Sequence, residues 1–173
     1  IRDPGFVEAW DPEWALLNRV NGAIPFAPVD SRYGGASGHA PGRYAHTAND
    51  LLPPAEFFPT HPEYFAQIGG KRRSSAHGTV HWCFSNKELP EVIFQSIVKQ
   101  MAANPEARLI SVSPIDGAGG FCQCEECKKI ADQHGGVVAA PLVDFMNRLA
   151  EKTRARFPDL RLSTLAYLES YDP

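Results

Sequence analysis

Three of the chain's four cysteines fall within one short run, Ile110 to Lys129, which reads ISVSPIDGAGGFCQCEECKK. Cys124 and Cys127 have the C-x2-C spacing of half a zinc knuckle, and Cys122 is close enough to join them. Cys83, at the end of the apolar run Thr79 to Phe84, is available as a fourth ligand. Four thiolates close a tetrahedral site, so a zinc ion held there is structural, pins a loop, and is not required for catalysis. A local disulfide, or reduced thiols that only pack, fits the same spacing, and the sequence leaves the three readings open.

The same run places Asp116 just after an apolar stretch, with Gly117, Gly119 and Gly120 behind it. A carboxylate in a glycine-rich loop suits acid–base chemistry, because the backbone there can approach a ligand. An Asp-Gly pair also caps ordinary turns. No Gly-Lys-Ser/Thr follows, which excludes a phosphate loop. His46 and Trp82 add a polar group and a flat aromatic, the pair that grips the hydroxyls and the apolar face of a sugar ring. Core packing for Trp82 and a satisfied strand position for His46 are the bland alternatives.

These residues need elements to position them. Gly5 to Trp10 reads as a short strand, and a helix runs from Pro12 toward Asn21-Gly22. Arg43 to Ala48 reads as a second, weaker strand, followed by short helical turns broken by Pro59 and Pro62. Thr79 to Phe84 is a strand rich in β-branched and aromatic residues. Ser85 with Glu88 forms a capping-box pattern, and the helix behind it repeats apolar residues at Leu89, Val92, Ile93, Ile97 and Met101. Leu109 to Ser113 is a buried strand. A further helix carries Leu142, Phe145, Met146, Leu149 and Thr153, and Leu162 to Tyr167 is the last strand.

This alternation predicts an α/β fold of parallel β/α repeats, with ligands at the carboxyl ends of the strands. Some five strands fall short of the eight in a (β/α)8 TIM-type barrel. The expectation is therefore a single partial barrel domain over residues 1–173, a fragment of a longer chain. The start at Ile1, with no signal-like segment, fits an excised piece or a mature product.

Bulk composition narrows the partners. With 43% apolar and 21% charged residues the chain has globular rather than disordered composition. A net charge of −3 offers no basic face for nucleic acid, and no apolar run is long enough to span a membrane. The basic run Lys71 to Arg73 reads as a solvated turn.

The segments DPEWALLNRVNG, HPEYFAQIGGKR, CFSNKEL, ISVSPIDGAGGFCQCEECKK and STLAYLESY together resemble a bacterial domain family of unknown function. Its members occur in large, exported proteins and look like glycoside hydrolases. The resemblance runs from Phe6 to Tyr171. It implies a (β/α)8-type catalytic domain distantly similar to α-glucuronidases and β-N-acetylhexosaminidases, a carbohydrate substrate, and an exported location. The remaining barrel strands and flanking domains of the same chain are the expected partners. By motif position Asp116, His46, Asn86 and the clustered cysteines carry over, with Asp116 as the catalytic residue. Lys87 stands where the family has proline. Glu169 stands where an uncharged or aromatic residue is expected, so it is placed with His46, Trp82 and Asn86 among the substrate-facing positions and not as a family catalytic group. Hydrolysis of a glycosidic bond needs two carboxylates or a substrate-assisted route, and a non-catalytic carbohydrate-binding domain on a degenerate barrel is the alternative.

Overall fold

The computed structural model describes residues 45–76 and 78–170, together with Asp11, Trp14, Leu17 and Ala40. The expected first strand, Gly5 to Trp10, lies outside the described residues, as does nearly all of the helix after it.

Two short helices, α1 (Ala48–Leu51) and α2 (Pro54–Phe57), lead into a 3-10 turn at Pro62–Tyr64. Strands β1 (Gln67–Ile68) and β2 (Lys71–Arg72) pair antiparallel around Gly69 and Gly70. Both glycines have positive φ, 58° and 77°, as a two-residue hairpin turn demands. The helix α3 spans Leu89–Ala103 and buries Leu89, Ile93 and Ile97, following its apolar period. Then come β3 (Leu109–Ser111), α4 (Glu125–Gln133), α5 (Ala140–Arg156) and β4 (Arg161–Ser163). A final 3-10 turn covers Leu168–Ser170.

β3 and β4 pair in parallel, with Ile110 opposite Leu162, and α4 and α5 form the crossover between them. Ile110 and Val112 sit in one core with Ile93, Ile97, Phe145 and Leu149, so α3 and α5 pack over this strand pair. The other side of β3 is covered by irregular chain. Ala40 N–H donates to Leu109 O at 2.9 Å, and the buried Thr47 hydroxyl donates to Ser111 O at 2.8 Å while accepting Ser113 N–H at 3.0 Å.

The partial barrel is corrected by this architecture. Among the described residues there are two sheets of two strands each and five α-helices, not a run of parallel β/α repeats. The cause lies in the ladders. Thr79 to Phe84, expected as a strand, makes one isolated bridge, Phe65 to Trp82. On one side its partner is the short stretch between the 3-10 turn and the β1–β2 hairpin, where pairing stops after Ala66 N–H to His81 O and Cys83 N–H to Tyr64 O, and on the other it is held by His81 N–H to Gly120 O alone among the described residues. β4 ends at Ser163 and does not reach Tyr167. The described part of the expected strand Arg43 to Ala48 is not extended pairing either: His46 has φ of 52° and α1 starts at Ala48. No described helix is long and apolar enough to cross a membrane.

Candidate functional site

The cysteine loop builds the best-defined site. Cys83 ends the buried segment after the Phe65–Trp82 bridge, Cys122 and Cys124 lie in the extended loop before α4, and Cys127 occupies the first turn of α4. Their four sulfurs all lie within 4.8 Å of one another, and none is in a disulfide. Cys83 Sγ is 3.6 Å from Cys122 Sγ and 3.7 Å from Cys124 Sγ. A tetrahedron with metal–sulfur bonds of ~2.3 Å has edges of about 3.8 Å, whereas a disulfide needs ~2.05 Å. The two closest sulfur pairs match such an edge, and the cluster is compatible with a bound metal ion.

The surroundings hold that geometry. Gln67 N–H donates to Cys122 Sγ at 3.3 Å, and Arg72, anchored on Phe65 O at 2.7 Å, reaches the same sulfur at 3.5 Å. Ser85 Oγ stands 3.1 Å from Cys127 Sγ, 3.5 Å from Cys83 Sγ and 3.6 Å from Cys124 Sγ. Arg148, paired with Asp144, donates to Phe84 O at 2.6 Å and Asn86 O at 3.2 Å, clamping the turn that carries Ser85. Donation from the Cys122 and Cys127 thiols drives the pKa of Cys83 far down. Cys122 receives a lowering contribution from Cys127, but donation to Cys83 and burial prevail and push it up to about 11. Hydrogen bonds to Cys122 and Cys83, with burial, push Cys127 up strongly. Cys83 thus takes the negative charge while Cys122 and Cys127 keep their protons. A cation at the centre relieves that competition.

A second group lies beyond the carboxyl ends of β3 and β4. His46 Nδ1–H donates to Pro114 O at 3.0 Å and leaves Nε2 3.7 Å from Asp116 Oδ1. Tyr167 meets the His46 ring edge-on at 5.6 Å, and the nearby Asp116 carboxylate raises the tyrosine pKa. The Asp116 side chain is 70% exposed, so this carboxylate is presented to solvent. Non-glycine backbone in the left-handed region costs on the order of 1–3 kcal/mol, and two such residues flank this group: His46 and Leu168, φ 50°.

Glu169 is neighbour to the same loop. Its Oε1 accepts Gly119 N–H at 2.7 Å, while Oε2 is buried and has no hydrogen-bond partner among the described residues. His81, 3% exposed, stacks obliquely on Phe121 at 4.6 Å and also lacks a partner at Nδ1. Burial lowers the His81 pKa, against the opposing influence of the Gly119 backbone and the charge of Glu169.

The sequence-derived residues therefore separate. Asp116 and His46 come together, with Tyr167, at the end of the expected last strand, beside them. Trp82, expected on a rim, is 2% exposed and packs against Phe84 and Phe145, which leaves no free face for a sugar. Asn86 spends its Oδ1 on the N–H groups of Glu88 and Leu89, at 2.8 and 3.0 Å, so it caps α3. That displaces the expected Ser85–Glu88 capping box and frees Ser85 for the cysteines. The glycines behind Asp116 serve packing: a Cβ on Gly117 or Gly120 would collide with Thr79, whose hydroxyl also donates to Asp116 O at 3.2 Å. His81 gave no signal in the sequence, since the segment around it is buried on both sides and shows no alternation.

One family of domains matches the whole chain, residues 1–173, under the description "Domain of unknown function (DUF4838)". No curated protein and no solved structure matches it.

Proposed function

We propose that this chain, which belongs to the DUF4838 family of domains of unknown function, acts on carbohydrate through Asp116, as part of a glycoside hydrolase site. The observation that carries this reading is the solvent-facing Asp116 carboxylate, flanked by His46 and Tyr167 beyond the ends of a parallel strand pair. In this reading Asp116 exchanges a proton with the glycosidic oxygen or with water. Tyr167 and His46 stand beside its carboxylate and border the place a sugar would occupy. Hydrolysis by two carboxylates requires a second one across the sugar ring. The resemblance in sequence to exported, glycosidase-like proteins supports the same reading.

The exposure of Asp116 favours a second reading, carbohydrate binding without turnover, because a general acid is usually enclosed so that its proton is retained near neutral pH. A panel of aryl glycosides and polysaccharides, assayed for hydrolysis and for binding, separates the two. Turnover that is lost in Asp116→Asn supports the hydrolase. Binding weakened by the same substitution, without turnover, supports the binding domain. Neither property in any sugar class would defeat both.

We further propose that Cys83, Cys122, Cys124 and Cys127 hold one structural zinc ion. The sulfur spacing near 3.7 Å supports this, as does an all-thiolate ligand set with no open position. The ion supplies no step of the reaction. It ties the segment ending at Cys83 to the loop that follows Asp116.

A further inference from the structure

The basic run Lys71 to Arg73, which reads from sequence as a solvated turn, starts in β2 of the β1–β2 hairpin. Lys71 and Arg73 are exposed, but Arg72 is half-buried. Its Nη1 donates to Phe65 O at 2.7 Å, which fixes the guanidinium, and reaches Cys122 Sγ at 3.5 Å. The same hairpin brings Gln67 N–H to that sulfur at 3.3 Å. Gln123 ties the hairpin to the cysteine loop: its N–H donates to Gln67 O at 2.8 Å, and its Oε1 accepts Gly69 N–H at 3.0 Å.

Charge gives this arrangement a purpose. Four thiolates around one divalent cation leave two surplus negative charges, in a centre where Cys83 and Cys127 are buried. Poorly solvated charge is costly, and a fixed guanidinium beside a thiolate offsets it through a charge-assisted hydrogen bond. Donors outside a ligand set also orient the ligands, and losing one typically weakens metal binding about 10–100-fold. Cys122 has two such donors from the hairpin, whereas Cys124 shares the single Ser85 hydroxyl with Cys83 and Cys127.

We propose that Arg72 is the charge-compensating residue of the cysteine centre, and that the β1–β2 hairpin is the outer wall of that centre. Arg72 sets how tightly the four sulfurs hold a divalent ion. With Gln67 it also makes Cys122 less nucleophilic than Cys124, the other partly exposed cysteine. The proposal rests on the metal reading above and adds to it the residue that tunes the site.

Competition for Zn2+ against a chromophoric chelator, on the full chain, tests it. Arg72→Gln is expected to bind zinc about tenfold or more weakly than the wild type. Lys71→Gln removes the same charge at the exposed neighbouring position and should stay within about twofold. Arg72→Lys keeps the charge and should recover most of the loss, which a merely structural role for the guanidinium fork would not produce. Iodoacetamide treatment of zinc-loaded wild type, mapped by mass spectrometry, carries the test if Arg72→Gln does not fold. Cys124 is expected to be alkylated before Cys122. Equal affinity in Arg72→Gln and Lys71→Gln, no recovery in Arg72→Lys, or Cys122 reacting first overturns this proposal alone. A wild type that takes up no zinc overturns it together with the metal reading, so the two failures are distinguishable.

Discussion

The cysteine centre and the Asp116 group lie on the same loop, yet they are built in opposite ways. Cys83 and Cys127 are buried, donors from β1 and β2 reach Cys122, and the Ser85 hydroxyl accepts from the Cys127 thiol. Asp116 is exposed, its nearest imidazole nitrogen is 3.7 Å away, and the chain around it is bent into unfavourable backbone at His46. A closed, over-determined cluster is what a structural site needs. An open carboxylate with few restraints is what a ligand can reach. On the proposed reading, one end of the loop serves stability and the other recognition.

Removing the clamp should have the largest effect. Chelation, or Cys127→Ser, takes away metal binding whose gross worth in small all-thiolate sites is on the order of 10 kcal/mol. The region around α4 and the Cys83 turn should lose amide protection in hydrogen exchange, while α3 and β3 keep theirs. Equal loss everywhere would erase the distinction between the two ends.

Gly120→Ala comes next, with an expected destabilisation of about 2–3 kcal/mol in denaturant melts. The cause is the collision of its Cβ with the Thr79 backbone, together with a φ of 77°. Asn86→Ala should cost about 1 kcal/mol, the ordinary value of a helix cap. Asp116→Asn should change stability by no more than ~0.5 kcal/mol, as expected for an exposed position, whatever it does to the proposed turnover or sugar binding.

A pH titration sharpens the comparison from another side. Burial lowers the pKa of His81 below 6.5, so the unfolded chain takes up a proton before the folded one does. The stability contribution of neutral His81 is thus complete above about pH 6.5 and is lost as pH falls toward the lower folded value. Replacing His81 with Gln should flatten that part of the acid limb. An unchanged slope would show that His81 is not the group responsible.

Local spacing made the cysteine cluster legible, because three sulfurs in one loop need little tertiary structure to converge. Helices α3 and α5 were legible from their apolar period, with Ile93, Ile97, Phe145 and Leu149 all buried as the repeat requires. The helix α4 was not, because its nine residues bury only Cys127 and otherwise read as a solvated run. The barrel was misread from the apolar content of Thr79–Phe84 and Leu162–Tyr167. Apolar content marks burial, but it does not say whether a neighbouring chain is long enough to form a ladder. Trp82 shows the same limit, since an aromatic at a strand end and one in a core have the same sequence appearance. Asn86 and Ser85 exchanged roles because either side chain suits a cap, and only the position of the sulfurs decides between them.

The division between a clamp and an open site is tested most directly by counting metal and thiols on one sample. Protein purified without chelator should carry one zinc ion per chain by elemental analysis and release four titratable thiols once denatured and stripped of metal. Substoichiometric metal together with two or no free thiols would show a cross-linked loop instead. Four free thiols with no metal would leave Asp116 held by packing alone and contradict the account.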